Sequence, residues 1–415
     1  MKKIDTVVIG AGQGGIATSE HLGAAGIEHI VLERGRIAER WHSERWDSLV
    51  ANGPAWHDRF PGMTFSGDQE AFASKETVAA YFEDYARKID APIRTGVTVE
   101  AVTPHVGRPG FHVETSHEAF DAKSVVSATG PFQVPSIPPI IPNAAAVTQM
   151  HSIAYRNPQA LAEGAVLVIG GGSSGSQIAA ELNQAGREVY FSIGPHDRPP
   201  RRYRGRDNVW WLGVLGIWNL DTPAPGTEHV TIAVSGAHGG KTVDFRKLAN
   251  SGVTLLGMST GFADGVLHFA DDLKSNLDAG DANCLALLDA ADAYVDRNGL
   301  DLPEDPEAWN IPKDPPCVAD PIRALDLEEN GITTIIWATG FRFDYSWLKA
   351  DALNEAGAPV HQRGVSPVPG LYFVGLPWQS RRGSSFIWGV WHDAKFIADQ
   401  IAIQQSYMTY HQRKA

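Results

Sequence analysis

MKKIDTVVIGAGQGGIATSEHLGAAGIEHIVLERG, residues 1–35, is the stretch from which the fold can be read. Ile4–Ile9 is an apolar run of the kind a parallel strand covered on both faces requires. It runs into a glycine-rich turn, Gly10-Ala-Gly12-Gln13-Gly14-Gly15, and then into a helical stretch, Ile16 to Ala25, which Gly26 stops. A second strand, His29–Leu32, ends at Glu33. Strand, glycine turn, helix and strand make a βαβ unit. The glycines let backbone N–H groups at the helix N-terminus approach a pyrophosphate, and a carboxylate at the end of the second strand accepts hydrogen bonds from a ribose. Glu33 stands 23 residues after Gly10, the spacing this reading needs, so the segment is expected to bind a dinucleotide.

The unit recurs. Ala165–Ile169 leads into Gly170-Gly171-Gly172-Ser173-Ser174-Gly175, a helical Gln177–Ala185 is stopped by Gly186, and Glu188–Ile193 is the next strand. In both copies 16 residues separate the first glycine from the helix-stopping one. Twenty-three residues after Gly170 stands Ile193, with Ser192 beside it, so no acid is in place for a bare 2′-hydroxyl. Arg198, Arg201, Arg202, Arg204 and Arg206 follow. A missing acid beside arginines suits a 2′-phosphate and favours NADPH over NADH. A solvated loop, partly neutralised by Asp197 and Asp207, is the alternative reading.

Two further strands resemble each other, Val125–Gly130 and Ile335–Gly340, each ending in Ala-Thr-Gly. Proline-rich breaks follow the first and precede the second. The expected fold is α/β, with two Rossmann-like, three-layer dinucleotide-binding domains, the NADPH domain inserted into the FAD domain. The expected boundaries are 1–147, 148–330 and 331–415. Near the C-terminus Gly370–Gly375 is a strand into a turn, and Ser384-Ser385-Phe386 can open a helix that runs to Ile403.

Composition narrows the function. Across 415 residues the net charge is −13, which argues against nucleic acid and anionic membranes as main partners. The longest nearly apolar run, Val209–Trp218, is too short to span a bilayer. The start carries no signal peptide, so a cytoplasmic location is expected. A homodimer is the base-rate expectation for assembly. His42, His57, His151 and His392 lack metal-ligand spacing, and no metal is expected. Cys284 and Cys317 form no CxxC pair. Two dinucleotide sites imply hydride transfer from NADPH to FAD. Without a redox-active cysteine pair, oxygen is the remaining acceptor.

On these residues the chain resembles class B flavin-dependent monooxygenases, in the flavin-containing monooxygenase group that includes the plant indole-3-pyruvate (YUCCA-type) enzymes, and it is most similar to the CzcO-like bacterial flavoproteins. Met150-His151-Ser152-x-x-Tyr155 matches the tail of that family's interdomain motif, while Ala145 and Val147 stand where Phe and Gly are usual. Trp46-Asp-Ser48-Leu-Val-Ala-Asn52-Gly-Pro54 resembles its stretch beside the flavin. The resemblance implies FAD, NADPH and O₂, a C4a-(hydro)peroxyflavin, and transfer of one oxygen atom to a small organic substrate. N- or S-oxygenation is favoured because Tyr155 replaces the Trp of the Baeyer–Villiger version, with Baeyer–Villiger oxidation or oxidative decarboxylation as alternatives. A reductase serving a protein partner and a non-catalytic redox sensor are rivals from other classes.

The resemblance also makes Asn52 the active-site amide, donating to an oxygen on the flavin and accepting from the nicotinamide side. The remaining FAD contacts are expected from Gly10, Gly12, Gln13, Gly14, Gly15, Glu33, Arg34, Trp41, Trp46, Ser48, Val99, Ala128, Thr129, Gly130, Gly375, Ser384 and Ser385. NADP contacts are expected from Gly170, Gly172, Ser173, Ser174, Gly175, Gln177, Ser192, Arg198, Arg204, Ala338, Thr339 and Gly340. His151, Ser152 and Tyr155 are expected to join the domains. Substrate walls are expected from the loop after Asn52 and from Trp210–Trp218 and Trp378–Trp391.

Overall fold

Strand Lys2–Ile9 is the centre of the first sheet. In the computed structural model, which describes residues 1–143, 146–222 and 231–410, it pairs in parallel with His29–Leu32 on one side and Phe120–Ser127 on the other. Ile93–Arg94 extends the first edge, Phe111–Thr115 and Val99–Pro104 continue antiparallel beyond Phe120–Ser127, and Leu371–Phe373 joins the far half of that strand in parallel. Ala145 of the linker motif falls outside the described residues.

Alternation along the central strand sorts its side chains to two cores. Val8 packs with Ile16, Leu22, Val78, Phe82 and Ile397 from the helices Gln13–Ala24, Lys75–Lys88 and Ile387–Tyr410. Val7 and Ile9 face the opposite layer, with Phe111, Phe120, Tyr345 and Leu348. Both cores are built of buried apolar side chains, which fixes the strand and helix ends where the glycine loop leaves the sheet.

The second sheet is all parallel, in the order Thr254–Leu256, Val189–Ser192, Ala165–Ile169, Ile332–Trp337, Thr148–His151. This corrects the expectation that the first domain resumes at 331. Ile332–Trp337 lies between Ala165–Ile169 and Thr148–His151, with Ile335, Ile336 and Trp337 fully buried. Such an apolar strand needs a neighbour on each side, and only the second sheet supplies both. The return to the first sheet therefore comes after Gly340.

Helix boundaries also move. The two glycine-loop helices begin at Gln13 and Ser173, earlier than Ile16 and Gln177, because the glycine turn itself enters the helix. The C-terminal helix begins at Ile387, not Ser384, and runs to Tyr410. Ser384 is spent upstream, where its hydroxyl oxygen accepts from the backbone N–H groups of Ser380 and Arg381. No helix among the described residues is long and apolar enough to cross a membrane.

Candidate active site

The first glycine loop opens onto a cavity of about 590 Å³ at the C-terminal ends of the first sheet. Gly10, Gly12, Gln13, Gly14, Glu33, Arg34, Trp41, Val99, Ala128, Thr129, Gly130, Gly375 and Ser385 line it. Gly10 has φ of +101°, and a Cβ there would stand 2.8 Å from the Ala128 carbonyl oxygen. Nothing lies within 4 Å of where a Gly12 Cβ would be, so that face is open to a ligand. Helix Gln13–Ala24 has neither a side-chain cap nor an acidic residue in its first turn, which leaves its N–H groups and dipole for an anion. Glu33 accepts from the backbone N–H of Ala11 at 2.8 Å and of Gly35 at 2.8 Å, fixing the loop against the strand end. Gln13 donates to the Ser385 carbonyl at 2.7 Å and ties the loop to the C-terminal segment.

These groups fit an FAD: an uncapped helix for the pyrophosphate, a carboxylate at the strand end, and flat walls from Trp41 and Phe132. Arg45, which sequence reasoning missed, lies over both rings at 5.6 Å, and burial pushes its guanidinium down to about 10. Gln133 was missed as well. It donates to Thr129 and to the Gly130 carbonyl at 2.9 Å each, holding the Ala-Thr-Gly turn. Five expected FAD residues do not line this cavity: Asn52, which lines a second one, and four others. Gly15 packs against the Gly10 carbonyl, where no Cβ fits, and Trp46 lies in the core of the second sheet. Ser48 donates to Glu181 at 2.8 Å, and Ser384 is fully buried in its own turn. Each is committed to packing or to a local hydrogen bond.

The second glycine loop repeats the backbone of the first. Gly170 has φ of +120°, and its missing Cβ would collide with the carbonyl of Ala338, much as Gly10 faces Ala128. Gly175 packs on the Gly170 carbonyl and on Ala338. Helix Ser173–Gln184 likewise starts at a glycine N-cap, Gly172, with no side-chain cap and no acid in its first turn. The segment from Ile232 to Val234 lies across this end: Ser173 Oγ donates to the Ile232 carbonyl at 2.7 Å and accepts from the Val234 N–H. Ser174 stands beside it in the first turn, partly buried.

The arginines read as a 2′-phosphate site are placed otherwise. Arg198 is buried and bonded to Asp281 at 2.6 Å. Arg204 is bonded to Asp292 at 2.6 Å. Both acids sit on the long helix Leu273–Asn298, and burial makes an unpaired arginine too costly there. Ser192 is buried and donates to the Gly257 carbonyl at 2.8 Å. Gln177 points away from the loop, toward Asn52.

His151, Ser152 and Tyr155 stitch the second sheet. His151 Nε2 donates to the Gly340 carbonyl at 2.9 Å while its Nδ1 accepts from the Ile153 N–H, which defines a neutral tautomer, and burial lowers its pKa. Ser152 N–H donates to the Trp337 carbonyl at 2.9 Å, and Thr339 donates to the Ser136 carbonyl. Tyr155 is fully buried and donates to Glu181 at 2.8 Å, the carboxylate that also holds Ser48.

Asn52 stands at the mouth of a second cavity, of about 270 Å³. Its walls are largely apolar: Val209, Leu212, Ile217 and Trp218, then Phe386, and Ala286, Leu287 and Ala290 of the long helix. The long helix was not foreseen as a wall, because its apolar face reads as ordinary core. His57 stacks on Trp218 with centroids 5.7 Å apart, and its Nδ1 lies 2.7 Å from Asp58. Asp58 in turn accepts from the Gly53 N–H at 3.0 Å, closing the turn after Asn52. The Asn52 side-chain oxygen accepts from Gln177 Nε2 at 2.9 Å, and its backbone carbonyl accepts from the buried Arg201. Its Nδ2 makes no hydrogen bond to the described residues. A pinned amide with a free donor over an apolar cavity can stabilise a developing negative charge on an oxygen held there.

A family model described as pyridine nucleotide-disulphide oxidoreductase matches residues 7–202. An uncharacterized CzcO-like oxidoreductase of Geobacillus kaustophilus is 34% identical over 96% of this chain and 98% of its own length. The indole-3-pyruvate monooxygenase YUCCA6 of Arabidopsis thaliana is 30% identical over 95% of this chain and 89% of its own. A flavin-containing monooxygenase of Stenotrophomonas maltophilia has the same fold, with a TM-score of 0.67, 22% identity, and coverage of 97% of this chain and 99% of that one. The chain belongs to the class B flavin-dependent monooxygenases, in the flavin-containing monooxygenase and YUCCA-like group, and is an oxidoreductase.

Proposed function

We propose that this monooxygenase takes its electrons from NADPH in preference to NADH and delivers one atom of O₂ to the nitrogen or sulfur of a small, largely apolar substrate in the Asn52 cavity. The other oxygen atom leaves as water, and NADPH with one proton supplies the two electrons that balance the step. Bound FAD supplies hydride acceptance and oxygen activation. Gly10, Gly12, Gln13, Gly14, Glu33 and Arg34 would hold it by the first glycine loop, with Trp41, Val99, Thr129 and Ser385 along its length.

The observation that carries the reading is Asn52 in the wall of a largely apolar cavity, its side-chain oxygen anchored by Gln177 and its Nδ2 without a partner among the described residues. An amide N–H hydrogen-bonds a charged oxygen without being acidic enough to protonate and expel it. Trp218, Leu212 and Phe386 make the wall beside it apolar, which limits the groups that compete for that oxygen. The neighbouring polar groups are partnered internally, Asp58 hydrogen-bonded to His57 and Arg382 paired with Asp197 at 3.7 Å, so the cavity favours an uncharged substrate. Disulfide chemistry is disfavoured: Cys284 is buried in the long helix with its thiol pushed up by burial, and Cys317 is 33 positions away. NADPH preference rests on the absence of a carboxylate at Ile193, since Arg198 and Arg204 are engaged elsewhere.

The test compares wild type with Asn52→Ala, both FAD-loaded, using NADPH and a panel of small thioethers and tertiary amines. Loss of a preorganised donor of this kind is worth roughly 10²-fold. Asn52→Ala should keep NADPH oxidation while product per NADPH falls by about that factor and peroxide rises to match. Equal product yields from the two proteins would refute the assignment.

A further inference from the structure

Gln177 sits one turn into the helix after the second glycine loop, is nine-tenths buried, and reaches across to the first part of the chain. Its Nε2 donates to the Asn52 side-chain oxygen at 2.9 Å and to the Val234 carbonyl at 3.1 Å. A side-chain NH₂ has two hydrogens, and both are used. The logic of the arrangement runs in one direction. A backbone carbonyl only accepts, so Val234 requires the nitrogen of Gln177 to face it. That nitrogen then requires the oxygen of Asn52, which leaves Asn52 Nδ2 as the free end.

We propose that Gln177 is a positioning residue that sets which way the Asn52 amide faces, so that oxygen transfer is coupled to the packing of the Ile232–Val234 segment over the second glycine loop. Arg201 is the backbone half of the same clamp. Its guanidinium is fully buried, paired with Asp207, stacked 4.8 Å from the Phe72 ring, and donates to the Asn52 carbonyl. Arg201 fixes where residue 52 is; Gln177 fixes which atom of its side chain reaches the cavity. Asn52 itself is exposed, so packing alone does not choose between its two amide orientations, and the hydrogen bond from Gln177 does. Because Gln177 lies in the helix that opens from the second glycine loop, the donor at Asn52 is in place only when that helix end is closed over by Ile232–Val234.

A carboxylate at position 177 inverts the arrangement. It has the shape of glutamine but only accepts, so it would draw in Asn52 Nδ2 and turn the amide oxygen toward the cavity. An alanine there leaves the amide free to adopt either orientation.

This inference rests on the reading of Asn52 as the active-site donor, and the experiment separates the two. FAD-loaded wild type, Asn52→Ala, Gln177→Ala, Gln177→Glu and the Asn52→Ala/Gln177→Glu double variant are compared for product and peroxide per NADPH with a thioether the wild type oxidises. Gln177→Ala should lower product per NADPH by about 5-fold, the worth of one neutral hydrogen bond. Gln177→Glu, although closer in shape, should lower it by about 10-fold or more. In the Asn52→Ala background Gln177→Glu should change the yield by less than about 2-fold, because its effect is exerted through Asn52. A second readout needs no turnover. In protein labelled with ¹⁵N-asparagine, the side-chain amide signal that vanishes in Asn52→Ala should shift in Gln177→Glu as Nδ2 gains an acceptor. Independent, multiplying effects of Gln177→Glu and Asn52→Ala, or an unmoved Asn52 signal in Gln177→Glu, would overturn the role of Gln177 and leave that of Asn52 intact. An unchanged yield in Asn52→Ala would overturn the reading on which it rests.

Discussion

Alanine at Gly10 and alanine at Gly170 should disable two different steps of one catalytic cycle. At Gly10 the backbone has φ of +101°, and the added Cβ meets the Ala128 carbonyl oxygen at 2.8 Å. That carbonyl belongs to the turn leaving a strand paired in parallel with Lys2–Ile9, so it cannot retreat without disturbing the sheet. Left-handed backbone costs about 1–2 kcal/mol for a residue with a Cβ, and overpacking about 1–3 kcal/mol more. The loop relieves this strain by moving, and a bound pyrophosphate needs it where it is. Roughly 2–5 kcal/mol would thus be lost from FAD binding, about 30-fold or more in Kd. At Gly170 the contact with Ala338 is tighter, so the loss at the second site should be at least as large. The assay has two arms: titration of the apo-protein with FAD by flavin fluorescence, and anaerobic flavin reduction by NADPH followed by absorbance. Gly10→Ala should bind FAD weakly. Gly170→Ala should bind it normally and be reduced at least about 30-fold less efficiently at limiting NADPH. Normal FAD binding by Gly10→Ala, or loss of FAD with retained NADPH affinity in Gly170→Ala, would refute the reasoning.

Glu33→Gln should weaken FAD binding by about 10-fold and lower the melting temperature of the apo-protein, because one of its two backbone N–H partners, Ala11 or Gly35, then faces an NH₂ group; differential scanning calorimetry and the same titration check it. Arg198→Ala should leave the NADPH-to-NADH ratio of kcat/KM within about 2-fold of wild type and reduce stability by about 1–3 kcal/mol, since its partner is the buried Asp281; steady-state kinetics and urea unfolding separate the two. His21 packs edge-on against Trp391 with centroids 4.4 Å apart, and burial holds its pKa down to about 4. The unfolded chain therefore takes up this proton first: the stabilisation is complete above about pH 6.5, falls as pH drops toward 4, and is flat below. Partial solvation reduces the effect to roughly 1–2 kcal/mol. Chemical unfolding from pH 7 to 4 should show His21→Gln losing less stability over that interval than wild type.

The parts of this protein visible in its sequence are those set by neighbours along the chain. Gly10, Gly12 and Glu33 announce the first site because strand, turn and helix lie within one 35-residue stretch, and the second copy repeats the pattern with the same spacing. What escaped depends on distant partners. Arg198 and Arg204 look like a phosphate cluster until Asp281 and Asp292 arrive from a helix more than 80 residues later. Ser48 and Tyr155 converge on Glu181, and Gln177 meets Asn52 across 125 residues; no local pattern encodes either encounter. Ile332–Trp337 was placed on the wrong side of a boundary because its apolar run says that it is buried but not in which sheet. Ser384 has the composition of a helix cap, yet its hydroxyl is turned to the preceding loop.

The central claim is oxygen transfer from O₂ at the Asn52 cavity, and isotope labelling tests it most directly. The FAD-loaded protein is supplied with NADPH and ¹⁸O₂ in ordinary water, together with the panel of thioethers and amines, and products are weighed by mass spectrometry against NADPH consumed. The account predicts an N- or S-oxide carrying one ¹⁸O atom, formed nearly one for one with NADPH and with little peroxide. Complete recovery of the electrons as peroxide across the whole panel, or product oxygen drawn from water, would contradict it.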